Sequence, residues 1–230
     1  MDFETWEPVY ETILDDFGYP QTGDERARDR LADLVTPFEV DRLDHVEGTT
    51  VAVAGAGPSL PRELDRARRA DAVFAASSAA DTLRVYGIEI DLMTTDLDKN
   101  PETARALTHE GVPVAVHAHG DNLPAVEEHV PEMDPEEVLA TTQAAPVGPV
   151  YNFGGFTDGD RGAFLADHLG AEKLVFPGWD FEDPSVGSEK RHKLRWAERL
   201  LAWLERRREE RFDVLDGRRD EIDLGFVPPE

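Results

Sequence analysis

The 230-residue chain has no cysteine, which excludes disulfides and thiolate metal sites. It is almost without lysine: Lys99, Lys173, Lys190 and Lys193 stand against twenty arginines. With Asp and Glu totalling 49, the net charge is −25. No basic face is left to neutralise a phosphate backbone, so nucleic acid is not expected as a partner. No apolar run approaches the roughly 18 residues needed to span a bilayer. The opening segment Met1 to Trp6 lacks the basic and apolar stretches of a secretory signal. A cytoplasmic protein without a membrane partner is expected. No Gly-Lys-Ser/Thr triplet occurs, which argues against a P-loop enzyme.

The acid is spread along the whole chain and interrupted by aliphatic runs, unlike a disordered acidic segment. A folded, lysine-poor, acid-coated surface is what a halophile's protein presents, because high salt screens its self-repulsion. The charge then reflects the solvent more than the substrate. The length suits one domain with an appendage or two small ones.

Residues 1–46 read as an N-terminal helical cap. Trp6, Val9, Tyr10, Ile13 and Leu14 recur at helical spacing, and Arg26 to Leu34 begins a second helix that Pro37 ends. Residues 47–186 read as an α/β core. Apolar runs at 49–54, 72–76, 90–94, 112–116, 139–143, 150–152 and 173–177 alternate with helical patterns. That alternation predicts a Rossmann-like, mostly parallel sheet with helices on both faces. Residues 187–230 hold a long last helix, expected over 188–211 with Leu194, Ala197, Leu200, Leu201 and Leu204 buried. A short strand pair or ordered tail follows from Phe212. The cap and the last helix offer surfaces for a homo-oligomer.

The polar motifs fall at the C-terminal ends of the expected strands, where open α/β sheets bind ligands. Gly55-Ala-Gly57-Pro58-Ser59 reads as a phosphate turn, or as a tight turn with Ser59 capping a helix. A dinucleotide fingerprint would need glycine where Leu60 stands and an acid where Ser77 and Ser78 stand. Asp96 and Asp98 would point the same way from an extended strand end and suit Mg²⁺. The alternative is an Asx turn before the helix at Pro101.

His117, His119 and Asp121 allow a transition-metal site. They fit better as Asp121 on Mg²⁺, His119 on a phosphate or as acid–base, and His117 in the core. The segment from Asn152 to Arg161 carries Gly154, Gly155, Thr157, Asp158 and Asp160 and leads into a helix expected over 162–169. Free N–H groups at such a helix start attract anions. Two carboxylates beside a phosphate require a cation between them, which points to a metal–nucleotide complex. The alternative is a loop whose aspartate caps the helix. Lys190 and Lys193 form a local basic patch suited to a polyphosphate, or ordinary pairs with Glu189 and Glu198. Trp179 and Phe181 beside Asp180 would stack on a flat heterocycle, or belong to the core.

In this order the motifs Gly-Pro-Ser-Leu, Thr-Asp-Leu-Asp, His-Ala-His-Gly-Asp-Asn, Asn-Phe-Gly-Gly-Phe-Thr-Asp-Gly-Asp-Arg, Gly-Trp-Asp-Phe and Lys-Leu-Arg-Trp-Ala resemble the archaeal 6-hydroxymethyl-7,8-dihydropterin pyrophosphokinase family over about residues 49–204. Lys99 departs from the pattern, where a small residue is expected. The resemblance implies transfer of diphosphate from ATP to the hydroxymethyl group of a reduced pterin, with AMP leaving, in folate or methanopterin synthesis. It implies Mg²⁺ on Asp96, Asp98 and Asp121 with Asp158 or Asp160, and charge neutralisation by Arg161, Lys190 and Lys193. The acidic surface fits a haloarchaeal member. A thiamine-type diphosphokinase, a metal-dependent nucleotide-sugar transferase and a non-catalytic nucleotide sensor are the alternatives.

Overall fold

Thr50–Ala54, Ala72–Ala76, Leu92–Thr95, Val114–Ala118, Val138–Thr142 and Lys173–Val175 form strands β1 to β6 of one sheet in the computed structural model, which describes residues 1–227. The order is β5-β4-β3-β2-β1-β6. Every pairing is parallel, with Val51 opposite Ala72 and Leu174 on its two sides. Strands buried on both faces read as continuous apolar runs, which is why β2 is Ala-Val-Phe-Ala-Ala.

Eight α-helices cover the sheet among the described residues: α1 Phe3–Phe17, α2 Gln21–Ala32, α3 Leu60–Arg68, α4 Ala79–Val85, α5 Pro101–His109, α6 Leu123–His129, α7 Asp158–His168 and α8 Ser188–Arg207. Successive residues of a strand point to opposite faces. Val51 and Val53 therefore join a core with α1, α7 and α8, while Ala52 and Ala54 join a second core with α2 to α6. The architecture is α/β/α, as the alternating pattern requires.

The side chain of Asp2 caps α1 by accepting the Thr5 N–H at 2.8 Å. Gly18 ends it at φ 68°, a conformation that costs glycine little. Trp6 is fully buried and stacks 6.5 Å from Trp203 of α8. Burying each side chain of this size stabilises the fold by about 1.5–3 kcal/mol.

Two expectations are corrected, at residues 150–152 and at the end of α8; helix α6 is an addition, and the segment after Phe212 is the ordered tail rather than the strand pair. Residues 150–152 make only isolated bridges, Tyr151 with Thr141 and Val150 with Val147, because Gly148, Gly154 and Gly155, all at positive φ, leave too little extended chain. Helix α6 was not foreseen; it is short and turns one apolar side chain, Val126, inward. Helix α8 ends at Arg207 rather than 211, where Arg208 turns back to Asp167 and to the carbonyls of Ala171 and Glu172. The segment after Phe212 holds two 3₁₀ turns, Asp213–Leu215 and Arg219–Glu221, and no strand among the described residues. No described helix is long and apolar enough to cross a membrane.

Candidate active site

The chain advances from β1 to β5 along the sheet, then returns to place β6 on the other side of β1. In such sheets the crevice where the direction reverses is the natural ligand site. Here a cleft runs along the C-terminal ends of the strands in two lobes. One lobe, about 230 Å³, opens at the reversal between β1 and β6, against Gly55, Gly57, Ser77, Trp179, Asp180 and Phe181. The other, about 180 Å³, lies under the N-terminal helices, against Tyr19, Asp24, Asp96, His119, Gln143 and Arg161. Lys99, Thr157, Asp158 and Lys190 line both lobes and mark their junction.

Asp158 stands at that junction, with Asp96 and Asp98 beside it in the lobe under the helices. Asp96 and Asp98 follow β3, but the chain does not stay extended. Leu97 takes φ 65°, and Asp96 Oδ1 accepts the Asp98 N–H at 3.2 Å. The Asx turn therefore exists, and it turns both carboxyl groups into the cleft. A buried leucine at positive φ is strained, and the surrounding contacts hold it there. Lys99 itself does not need the left-handed region, since Leu97 makes the turn.

Burial works to raise the Asp96 carboxyl, but the His119 contact, proton sharing with Asp98 and the Arg161 charge outweigh it and hold it well below the usual range. Asp98 moves the opposite way, raised by burial and then by Asp96. Asp158 is raised too, by burial first and the charge of Asp96 second, against the pull of Arg161. His119 Nδ1 faces the Asp121 N–H at 3.4 Å, which leaves its proton on Nε2, 3.5 Å from Asp96 Oδ2. His119 thus contacts Asp96 within the lobe under the helices. Asp121 lies exposed at the rim of the same lobe. His117 is buried, with Nδ1 3.1 Å from Thr141 Oγ1; burial, then the Arg161 charge, keep it neutral.

Helix α7 begins four residues earlier than the periodicity predicts, so Asp158, Asp160 and Arg161 occupy its first turn. The sequence signal is masked because Asp158-Gly-Asp-Arg161 carries no apolar side chain. Asp160 is fully buried and does not line either lobe. Its carboxylate accepts the N–H groups of Phe156 and Thr157 and the Thr157 hydroxyl, a capping box. The N–H groups of Phe156 and Thr157 are thereby engaged inside the protein.

Asn152 also lies outside both lobes. It latches the loop, accepting from the Gly154 N–H at 2.8 Å and donating to the Ala144 carbonyl at 2.7 Å. Gly155 sits at φ +93°, and a Cβ there would lie 2.6 Å from Arg161 Cα. Gly154 and Gly155 therefore serve close packing behind Arg161, while Thr157 and Asp158 face the cleft. Arg161 Nη1 lies 3.2 Å from Asp158 Oδ1.

The turn after β1 likewise has its donors engaged. Gly55 and Gly57 donate to the carbonyls of Pro177 and Gly178, and the Ser59 N–H donates to Asp180 Oδ2 at 2.8 Å. Gly55 and Gly57 floor the reversal lobe; Pro58 and Ser59 stand behind it, and the Ser59 side chain makes no capping bond. Trp179 donates its indole N–H to the Val53 carbonyl at 2.8 Å and forms one wall. Lys190 and Lys193 both reach the cleft, Lys193 also 3.6 Å from Glu189. Arg195 faces away, among Glu198 and Arg218.

One part of the site carried no signal in the sequence. Asp24 of α2 is buried and accepts the Gly120 N–H at 2.7 Å on Oδ1, and the Tyr10 hydroxyl and Gln143 Nε2, both at 2.8 Å, on Oδ2. Gln143 in turn presents Oε1 to Arg161 Nη2 at 3.4 Å. The N-terminal helices thus orient the arginine of the cleft. Gln143 follows the C-terminal end of β5, the one available hint.

Among the described residues no group of three or more His, Cys, Asp or Glu side chains is placed to hold a metal ion by itself. Asp96, Asp98 and Asp158 nevertheless share the wall of one lobe as hard oxygen donors. That suits an ion such as Mg²⁺, which takes one or two carboxylates and completes its shell with water and phosphate oxygens.

The chain matches the family described as "6-hydroxymethylpterin diphosphokinase MptE-like" over residues 26–185. It is 38% identical over 225 residues to the 6-hydroxymethyl-7,8-dihydropterin pyrophosphokinase of Methanothermobacter thermautotrophicus, covering 90% of this chain and 96% of the relative. Proteins of the same name from Pyrococcus furiosus and Methanocaldococcus jannaschii are 37% and 32% identical, each over 89% of this chain and 94% and 96% of their own. Among solved structures, the MAf glycosyltransferase from Magnetospirillum magneticum AMB-1 aligns with TM-score 0.47 and 17% identity over 79% of this chain and 35% of its own. With the family matched over more than half its length and relatives over about nine-tenths of it, the chain belongs to the MptE-like 6-hydroxymethylpterin diphosphokinase family.

Proposed function

We propose that this chain transfers diphosphate from ATP to the hydroxymethyl oxygen of 6-hydroxymethyl-7,8-dihydropterin, releasing AMP. The observation that carries the reading is the junction between the lobes. Asp158, Lys99 and Lys190 stand where two ring-sized spaces adjoin, with Asp96, Asp98 and Arg161 beside them in the lobe under the helices. Two flat substrates entering from the two sides bring a hydroxyl and a polyphosphate together there. The similarity to three relatives carrying that name supports the same reaction.

The hydroxymethyl oxygen attacks the β-phosphorus of ATP, the bond to the oxygen bridging to the α-phosphate breaks, and AMP carries off that electron pair. Asp98, the exposed member of the cluster, is placed to take the hydroxyl proton. Positioning and charge neutralisation do most of the work in such transfers. Arg161, held by Asp158 and Gln143, and the mobile ammonium groups of Lys190 and Lys193 balance charge on the phosphates. Mg²⁺ would be held by Asp96 and Asp158, with Asp121 at the rim and Asp98 left to the proton, and would neutralise phosphate oxygens. The cap at 1–46, the core at 47–186 and the C-terminal segment from 187 each contribute to the cleft: Tyr19 and Asp24, the strand ends, and Lys190 with Lys193. The setting is a salt-rich cytoplasm, and the product enters folate or methanopterin synthesis.

The test is AMP release from ATP and Mg²⁺ in molar potassium chloride, with and without the pterin. AMP formed only with the pterin supports the assignment. In a folded sample, no AMP with the pterin but AMP with thiamine overturns the substrate, and no AMP with either overturns the reaction.

A further inference from the structure

We infer that the lobe at the β1–β6 reversal holds the pterin ring, with Asp180 reading its 2-amino and N3–H edge, while ATP enters beneath the N-terminal helices. The assignment rests on the proposed diphosphate transfer.

The reversal lobe is a slot for a flat ring. Trp179, Phe181, Val186, Leu194 and Ala197 line it, over a floor of glycines. The floor has to be glycine: a Cβ on Gly57 would collide with Asp180 Oδ2, and one on Gly159 would lie 2.6 Å from the Trp179 ring. Its polar groups are chiefly acceptors. Asp180 keeps Oδ2 on the Ser59 N–H at 2.8 Å, and among the described residues no hydrogen bond reaches its Oδ1. Asp183 stands further along the wall, its Oδ1 already accepting from Ser185.

Ser77 supplies an independent sign of a ligand. It is 7% exposed, sits at φ 47°, and its Oγ has no hydrogen-bond partner. Its backbone is clamped by its own N–H to the Thr94 carbonyl at 2.8 Å and by Asn100 donating to its carbonyl at 3.3 Å. A strained residue clamped with an orphaned hydroxyl in a cavity wall is built to meet something there.

The charges decide between the two substrates. Arg161 and Lys193 line only the lobe under the helices, and the reversal lobe has no cation beyond Lys99 and Lys190 at the junction. Four cations, Lys99, Arg161, Lys190 and Lys193, are within reach of phosphates in the lobe under the helices, against two in the reversal lobe, which favours the former for a triphosphate. A pterin is uncharged, and its pyrimidine edge presents two parallel donors, the 2-amino group and N3–H, to the two oxygens of one carboxylate. Adenine presents its amino donor beside the N1 lone pair, which would face a carboxylate oxygen. Ser77 Oγ then serves a ring acceptor. The hydroxymethyl group, at the far end of the bicycle from the pyrimidine edge, points to Asp158 and Lys190.

The experiment measures KM for each substrate separately, in the AMP assay, for Asp180→Asn and Ser77→Ala. A wild type with no pterin-dependent AMP refutes the reaction itself and is recognised before any variant is compared. With the reaction present, Asp180→Asn is expected to raise the pterin KM at least tenfold and leave the ATP KM within about twofold, because its new amide donor opposes the ring's donors. Ser77→Ala, which removes only the unpaired hydroxyl, is expected to raise the pterin KM severalfold with an unchanged melting temperature. A rise confined to ATP in either variant overturns the assignment, as do two unchanged KM values in Asp180→Asn.

Discussion

Asp24→Asn tests whether the N-terminal helices shape the cleft from a distance. The carboxylate satisfies three donors: the Gly120 N–H, the Tyr10 hydroxyl and Gln143 Nε2. An asparagine that keeps its oxygen on Gly120 turns its NH₂ toward Gln143, whose own NH₂ faces it. Tyr10 can rotate its hydroxyl to accept; Gln143 can only flip its amide. The flip sets that NH₂ against Arg161 Nη2, now 3.4 Å from Gln143 Oε1. Converting three charge-assisted hydrogen bonds to neutral ones costs about 1 kcal/mol each, and one buried donor left unpaired adds about 1–3 kcal/mol. The total is roughly 4–6 kcal/mol, which in a chain of this length lowers the melting midpoint by roughly 10–20 °C. Thermal unfolding in molar potassium chloride reads the shift. AMP release well below the transition is expected to fall about tenfold, as Arg161 loses its orientation. Tyr10→Phe removes one bond and leaves Gln143 in place, so it costs about 1 kcal/mol and leaves turnover near wild type. An Asp24→Asn protein that melts within about 2 °C of wild type and turns over normally would refute the relay from α2 to Arg161.

Asp96→Asn is expected to lower kcat at least about 100-fold while leaving the melting midpoint close to wild type, since Asp96 is partly open to the cleft; retained turnover would sink its place in the cluster. The metal-free protein has a definite pH response. Asp98 and Asp158 bind protons more tightly folded than unfolded, so the stability they contribute is full below an unfolded pKa near 4. It is lost as pH rises through their folded values of about 6 and about 7. Asp96, held low, works the other way: its contribution is present above its unfolded value and is lost only in stronger acid. The midpoint of chelator-treated protein should therefore decline from about pH 5 to about pH 7.5, and Asp158→Asn should flatten the decline; a curve indifferent to that substitution counts against the cluster. A net charge of −25 also implies self-repulsion that salt screens, as the Debye length falls from about 10 Å at 0.1 M to about 3 Å at 1 M. The midpoint should climb over that range, and a flat response would show that the acidic coat is not an adaptation to salt.

The layered fold was legible because its signals are local. Short runs such as Ala72–Ala76 can only be strands buried on both faces, and the stripe through Trp6, Tyr10 and Ile13 can only be a buried helix face. The cluster at Asp96 and Asp98 was legible for a related reason: in parallel sheets ligand groups collect at strand ends, and strand ends can be read from hydropathy. The start of α7 was not, because its first turn is built from glycine, aspartate and arginine, and the helix there is specified by capping rather than periodicity.

Composition, spacing and motif order by themselves determined the α/β class, the family and the edge of the sheet that carries the chemistry. Tertiary structure decided what each motif residue does. Asp158 and Asp160 are two apart on one helix, yet one faces the cleft and the other closes a capping box, a distinction made by which neighbours bury them. Gly55, Gly57 and Ser59 look like a phosphate turn, but the loop after β6 takes their N–H groups. Asp24 is one acid among 49 Asp and Glu, and only the packing of α2 against the end of β4 makes it the anchor of Gln143 and Arg161. Hydrophobic period is written between near neighbours, while the partner of a polar atom is chosen by whichever distant segment the folded core brings within 3 Å, and that choice is made in three dimensions.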